Sequence, residues 1–429
     1  MATASDYGRA IDCAIRTEVL PHLAGRRPNL VVFDEDVGLE TLAIGRRGAA
    51  ARALLRSGDP SCRGASLCPV LGTLTELDRG YASALRYLTP RFPALTGELG
   101  RSFVAATDTF VRVFMTTMAT AARRYGVYVV ASNTQARFRV DRSPGAISAL
   151  ADPGAPRPRF VYAPSTAVAY DQTFVWSPKV LHRHDPPPTA NLMAENLKLP
   201  LTNFEQDLGF APGPSTGAAA VANLWPVSIP GTGARLGLAT SLPAFTYGSA
   251  RTTHPCADVA LTYMRCLNRL GANIVVQADA NDGEWTGSGG SESWQPLAWM
   301  GSAYRAVSDP SVRFAYAVNS FMVGNLADIP FDGQSAILQR GRRGRGCHYV
   351  GDGRFLPRQD TASFRFYAGL KSDFLALAPW VVPDGPRAGL RRVSAALAAD
   401  RRAYVQTAVI ADLPFPADHR RSGCLVSGR

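Results

Sequence analysis

The chain has 429 residues and 46% of them are hydrophobic, enough to bury a large core, which excludes disorder as a reading of the whole. The formal net charge is +12, yet only Lys179, Lys198 and Lys371 are lysines among 46 basic residues, leaving 43 arginines. That bias dilutes any nucleic-acid meaning of the charge, and a lysine retained against it points to a need for a compact ammonium that arginine's planar fork cannot replace.

No apolar run approaches the roughly 18 residues of a membrane span. The N-terminus lacks a basic segment followed by an apolar one, so no signal peptide is read and the cytoplasm is the expected location. Seven cysteines (Cys13, Cys62, Cys68, Cys256, Cys266, Cys347, Cys424) contain no CxxC pair. Neither a disulfide framework nor a zinc cage is expected, and most of the thiols should be reduced.

Along the chain, residues 6–24 carry Ala10, Ile11, Ala14, Ile15, Val19 and Leu20 at helical spacing. After a turn at Arg26–Asn29, Leu30–Phe33 reads as a short apolar strand that ends in the acids Asp34, Glu35 and Asp36. A second helix follows through Leu54, and residues 57–70 read as a turn-rich insertion. A long helix is predicted over 101–124, stopped by Gly126, with a buried strand at Val127–Ala131. Residues 141–158 hold Pro, Gly and Asp and read as a loop. Phe160–Val168 and Gln172–Trp176 read as two strands joined by a turn at Ala169–Asp171. The three prolines of residues 181–190 exclude regular structure there.

Val227–Ile229 and Leu236–Thr240 are predicted strands around a Pro230–Gly233 turn. Ala257–Leu270 is a predicted helix stopped by Gly271, and Asn273–Ala278 the next strand. Residues 293–307 read as helix, and Arg313–Val318 and Ser335–Gln339 as strands. Helices alternating with apolar strands give an α/β class with no internal repeat. Residues 1–380 read as a single domain. Residues 381–429, with a strand pattern at Val405–Ile410, read as an ordered extension packed on it.

Three strand ends carry polar groups where the apolar pattern stops, the usual place for catalysis in α/β sheets. They are Glu35 in VVFDEDVGL, Lys198 in ENLKLPLTNFE and Ser241 in RLGLATSLPAF. Further on come Leu270-Gly271-Ala272, then Ala280-Asn281, Trp299 to Arg305-Ala306, Asn319, and Asp332-Gly333-Gln334-Ser335. This ordered set, over roughly residues 28–340, resembles the nitrilase (carbon–nitrogen hydrolase) superfamily.

The resemblance implies a four-layer α-β-β-α sandwich, a homodimer, and hydrolysis of an amide or nitrile with no metal or organic cofactor. It maps Glu35 as general base, Lys198 as the cation for the oxyanion, and Glu205 as the acid that orients the lysine. The nucleophile position departs from the family, with Ser241 standing where a cysteine is expected. A serine hydroxyl ionises far less readily than a thiol. Three readings stay open: Ser241 attacks after special activation, the chain is a non-catalytic relative that binds a small amide-like ligand or a partner, or a thiol comes from elsewhere. For the last, Cys256 sits just before the predicted helix at 257, whose N-terminus would lower its pKa.

The plain readings stand beside these. Glu35, Asp34 and Asp36 could cap the following helix. His182 and His184 read as a solvated loop and not as metal ligands. The run Arg340, Arg342, Arg343, Arg345 reads as a solvated turn, with no aromatics to stack bases. Trp285, Trp294 and Trp299 suit core packing at least as well as a pocket. The family's sheet opens with a strand before the first helix, whereas this chain starts almost directly at that helix, so either the edge strand is missing or the true start lies upstream; a missing strand would expose backbone groups unless a partner or the C-terminal segment covers them.

Overall fold

The structure, a computed structural model, describes residues 1–57, 68–95, 99–249, 251–280, 295–326, 329–331, 335–340, 373–377 and 408–415. They fall into two compact units, Met1–Val31 with Asp36–Gly213, and Val32–Glu35 with Pro214–Arg429. Both mix helices and strands, so the α/β class holds. Among the described residues no helix is long and apolar enough to cross a membrane.

In the first unit α1 (Ala4–Ala14) starts on a capping box, with Thr3 accepting from Asp6 N–H and Asp6 reaching back to the Thr3 N–H. Irregular helical turns carry it on to His22. β1 (Leu30–Val32) follows, then α2 (Ala49–Ser57), α3 (Cys68–Gly80) and α4 (Ala82–Leu88). The helix expected over 101–124 comes as α5 (Arg101–Ala105), α6 (Thr107–Phe110), a wide turn at Val111–Met115, and α7 (Thr116–Tyr125). Gly126 ends it with φ 67°, a left-handed cap that suits glycine.

β2 (Tyr128–Asp141), α8 (Pro144–Leu150), β3 (Val161–Trp176), β4 (Leu192–Leu197) and α9 (Asn203–Asp207) complete the unit, in a sheet of order β1-β2-β3-β4. Two expectations are corrected. The stretch 141–158 contains α8, because Ser143 caps the Ala146 N–H and Pro144 sits at the first helical position. No turn breaks β3 at Ala169–Asp171, since Gln135, Thr134 and Asn133 of β2 pair with Tyr170, Asp171 and Gln172. The core is aromatic: the Phe114 ring meets Trp176 edge-on at 5.8 Å and Phe103 meets Phe210 at 4.9 Å.

The second unit holds α10 (Gly217–Asn223), β5 (Val227–Ser228), β6 (Arg235–Leu238), α11 (Val259–Arg269), β7 (Ile274–Asp279), α12 (Gln295–Ser308), β8 (Tyr316–Phe321), β9 (Gly324–Leu326), β10 (Ile329–Phe331), β11 (Ala336–Gln339) and β12 (Asp373–Leu377). β9 and β10 form a hairpin, and the rest form a sheet of order β12-β11-β8-β7-β6-β5. β6, β7 and β8 run parallel, and α11 and α12 are the crossovers that parallel pairing requires. Their carboxyl ends therefore point the same way, toward the residues after Leu238 and around Asp279.

Gly237 lets α11 come close to β6, because a Cβ there would lie 2.9 Å from Ala272 Cβ and 3.3 Å from Leu267 Cδ1. Gly237→Val should destabilise the chain by about 1–3 kcal/mol through overpacking, read as a lower denaturant midpoint. No change would mean the helix is free to shift.

The cysteine expectation is corrected. Cys256 is disulfide-bonded to Cys266, ten residues on, and Cys68 is bonded as well. The Cys256–Cys266 bond ties the loop before α11 to the helix itself. Opening so short a loop, in Cys266→Ser or by reduction, is expected to cost about 3 kcal/mol. Differential scanning fluorimetry with and without reductant checks this, and an unchanged transition in both would sink it.

The strand expected at Val405–Ile410 is absent over residues 408–410, and residues 401–407 lie outside the described residues. The segment 408–415 is extended coil against the sheet. Pro414 O accepts from Tyr316 Oη at 2.7 Å, and the Phe415 ring lies 5.4 Å from that of Tyr316. Most of the insertion 57–70, Trp285, Trp294, Asn281, residues 332–334 and Arg342, Arg343 and Arg345 also fall outside the described residues.

Candidate functional site

In the first unit the site is built on a cross-strand pair. Thr134 of β2 lies opposite Asp171 of β3, and Lys198, just past β4, donates its N–H to Asp171 O at 2.9 Å. Strand alternation puts Ser132 on the same face as Thr134. The Lys198 side chain is 3% exposed. Its Nζ lies 2.7 Å from Glu205 Oε1 and 3.3 Å from Asp171 Oδ2.

Glu205 is held by a second device. Thr202 caps α9, and Glu205, at the third helical position, closes a capping box. Its Oε2 accepts from Thr202 N at 2.6 Å and from Thr202 Oγ1 at 2.8 Å, which leaves Oε1 for the lysine. Burial works against the Glu205 charge. The Lys198 ammonium and the Thr202 donors outweigh it and hold the carboxyl below its usual range. A buried, hydrogen-bonded ion pair of this kind keeps an ammonium in one place.

Asp36 joins the same group. Its backbone has φ 57°, in the left-handed region. Its N–H donates to Ser132 Oγ at 3.0 Å, and its Oδ1 accepts from Thr134 Oγ1 at 3.1 Å. It caps no helix, contrary to the plain reading, because its carboxyl turns to β2. Asp36 is half-buried as a residue, and desolvation of its carboxyl, and then Asp171, push its pKa up to about 8, against the pull of Lys198.

In the second unit Ser241 follows β6 and opens a short helical turn, Leu242–Phe245. It is 2% exposed and has φ 60° and ψ −124°. A non-glycine residue there costs on the order of 1–3 kcal/mol and persists only where the surroundings enforce it. The enforcement is visible: Ser241 N donates to Ala278 O at 2.9 Å, and Ala244 N donates to Ser241 O at 3.0 Å. A side chain on a sharp strand-to-helix turn of this kind is the geometry of a nucleophile elbow.

Glu35 is 3% exposed, and its Oε2 accepts from Ala280 N at 2.7 Å. Ser241 and Glu35 are thus both tied to the Ala278–Ala280 segment at the end of β7. That segment is braced by a buried polar network. Asn319 Nδ2 donates to Asp279 Oδ2 at 2.7 Å, and Gln277 Nε2 donates to the same oxygen at 2.9 Å and to Ser302 Oγ at 2.7 Å.

The other candidates resolve differently. Cys256 is half-buried and its sulfur is bonded to Cys266, so it offers no free thiol in this state. His182 and His184 are exposed between β3 and β4. Arg340 is no solvated turn residue: its guanidinium donates to Phe314 O and Ala306 O, each at 2.8 Å, and so caps the end of α12. From the sequence Asp36 reads only as a helix cap and Asp171 only as the end of a turn. The TxxE spacing of Thr202 and Glu205 was a legible capping signal, whereas nothing local marks Asp171.

No family model matches the sequence, and no curated protein matches it. Among solved structures it is similar to a carbon-nitrogen hydrolase from Helicobacter pylori G27, at 13% identity, covering 79% of this chain and 76% of that one with a TM-score of 0.38. It is similar to an amidase of the nitrilase superfamily from Nesterenkonia AN1, in a mutant form, at 12% identity, 79% of each chain and a TM-score of 0.35. Nit3 from Saccharomyces cerevisiae, of branch 10 of the nitrilase superfamily, is 14% identical, over 52% of this chain and 56% of that one, with a TM-score of 0.32. Carbon-nitrogen hydrolases of the nitrilase superfamily are thus among the structures this chain resembles.

Proposed function

We propose that the chain is a hydrolase acting on a non-peptide carbon–nitrogen bond of a small amide or nitrile. Ser241 is its nucleophile, Glu35 the base, Lys198 the oxyanion cation, and Glu205 the acid that positions the lysine. The observation that carries the reading is the Ser241 elbow, held in a left-handed backbone by Ala278 while the same segment binds the Glu35 carboxylate through Ala280 N. The fold of this reading is the four-layer α-β-β-α sandwich, in one domain over residues 1–380 with 381–429 packed on it, and two copies pair as a homodimer.

For an amide, Ser241 Oγ forms a bond to the carbonyl carbon as its proton passes to Glu35. The oxyanion that develops is met by the Lys198 ammonium. The C–N bond then breaks, and Glu35 returns the proton to the leaving nitrogen. A water attacks the acyl ester with Glu35 again taking its proton, and the acid departs as Ser241 recovers its hydrogen. No metal or organic cofactor enters the route. The location expected from the sequence is the cytoplasm, and the bonded cysteines are the feature that favours an oxidising compartment instead.

One observation favours a second reading, a non-catalytic relative that binds an amide-like ligand. A carboxylate is a weaker activator of serine than the histidine usually found there. Incubation with a panel of amides and nitriles, followed by intact-mass and peptide mass spectrometry with an electrophilic trap, separates the two. The hydrolase reading expects an adduct on Ser241 and release of ammonia from at least one amide. No adduct and no ammonia would leave the binding reading standing.

A further inference from the structure

The first unit places three carboxylates, Asp36, Asp171 and Glu205, around one buried ammonium. Glu205 and Asp171 already form ion pairs with Lys198 Nζ at 2.7 and 3.3 Å. A third full negative charge beside them would have no cation of its own in the cluster. The backbone nonetheless directs the third carboxyl there. Asp36 adopts φ 57°, its N–H is fixed on Ser132 Oγ at 3.0 Å, its carbonyl accepts from Leu39 N at 2.7 Å, and its Oδ1 accepts from Thr134 Oγ1 at 3.1 Å. Thr134 is the cross-strand partner of Asp171, so the register of β2 and β3 sets Asp36 beside Asp171. Three hydrogen bonds, two on its main chain and one on its carboxyl, hold the residue in a strained backbone and mark a built position.

We propose that Asp36 is a positioning residue of the Lys198 cluster that works in its neutral, proton-bearing form, so that the Lys198 ion pairs with Glu205 and Asp171 meet no competing charge from Asp36. The inference rests on the hydrolase reading for its catalytic meaning, since it is the placement of the Lys198 ammonium that Asp36 serves. The charged groups that act on its carboxyl are Asp171 from β3, Lys198 after β4 and Glu205 from α9; Thr134 and Ser132 from β2 are uncharged, and Glu35 is the acid next to it in the chain. Burial and Asp171 act in the same direction and raise its pKa to about 8, with Lys198 and Thr134 opposing. Once Asp36 ionises, the added charge competes for the Lys198 hydrogen bonds and the ammonium is drawn from its place.

The sign for stability follows. The pKa is raised in the folded state, so between about 4 and about 8 the unfolded chain releases a proton that the folded chain keeps. Stability contributed by the protonated form is complete below that window and is lost as pH rises through it, levelling above about 8. Asp36→Asn is neutral at every pH and removes this loss.

The test compares full-length wild type and Asp36→Asn by thermal unfolding from pH 4 to 9, with pH–rate profiles for an amide hydrolysed by the wild type. The expected result is a melting-temperature advantage of Asp36→Asn that grows with pH and levels near pH 8. An alkaline limb in the wild-type kcat is expected to be lost in the variant. Infrared difference spectra of the wild type at pH 7 should show a protonated-carboxyl band absent from Asp36→Asn. A melting-temperature difference that does not change with pH overturns the proposal, as does failure of the neutral isostere to fold. An alkaline limb shared by both proteins overturns the positioning role alone. If no amide is turned over, the hydrolase reading fails, while unfolding and infrared spectra still decide the state of Asp36.

Discussion

Ser241→Ala is expected to lower amide turnover by at least about a thousandfold, because it removes the nucleophile and leaves the rest of the site intact. The fold should survive. Alanine occupies the same backbone, at φ 60°, no less easily than serine does, and the bond from residue 241 N to Ala278 O is a main-chain one. Ser241→Cys is the informative companion. A thiol near its ordinary pKa is a few per cent ionised at pH 7 and is intrinsically far more nucleophilic than a hydroxyl. In the same elbow, with the Glu35 carboxylate tied to the same segment, the new cysteine should react with an electrophilic amide such as acrylamide much faster than Cys13, which is free and exposed. Peptide mass spectrometry reads the rates separately. If Ser241→Ala keeps wild-type turnover, the elbow is not the nucleophile. If turnover then appears only after reduction, Cys256, released from Cys266, has taken its place.

How far this site was legible in the sequence depends on what each residue answers to. Glu35, Lys198 and Ser241 stand where apolar strands end, and a strand end is a local pattern. The step from Lys198 to Glu205 is legible for a local reason too: the capping box of Thr202 and Glu205 fixes the helix start, and the helix start fixes the carboxylate. Asp171 answers to nothing local. It stands in the middle of a strand, opposite Thr134, and its sequence neighbours suggested a turn. Only the pairing of β3 with β4, which sets Leu197 opposite Gln172, gives it a lysine as neighbour, and that pairing lies outside its local sequence.

Asp36 was hidden in another way. An acid after a strand and before a helix reads as a cap, and only the positive φ turns its carboxyl toward β2. The disulfide was missed because cysteine spacing says nothing of which thiols a loop and a helix bring together. The long helices were legible from apolar periodicity. Their breaks at Ala106 and Thr262 were not, since each depends on local contacts: Thr262 leaves helical angles at φ −136° while its hydroxyl donates to Asp258 O.

The second large effect concerns the lysine. Lys198→Met is expected to destabilise the chain by about 3–5 kcal/mol, because it leaves Glu205 and Asp171 buried without their cation. The loss should depend on pH in a direction that identifies its cause. In the wild type the Glu205 carboxyl is held below its usual range, so the stability it contributes is present above the unfolded value near 4.5 and fades as pH falls through the folded one. Without Lys198, burial is the leading influence left on that carboxyl, and it acts to raise the pKa.

Acid should therefore relieve the variant while it weakens the wild type, and the two unfolding curves should converge below about pH 4. Lys198→Met with Glu205→Gln should recover part of the loss at pH 7, since the amide removes one stranded charge. Lys198→Arg should not restore the wild type, because a planar fork cannot take the place of one ammonium between two carboxylates set by β3 and α9. For activity, loss of the oxyanion cation is expected to cost about a hundredfold or more in kcat, with a smaller change in KM, as an interaction made mainly in the transition state. A stability gap that stays constant from pH 4 to 8 would show that Lys198 contributes packing and not charge. In that case the placement of its ammonium could not be what the surrounding acids are built to serve.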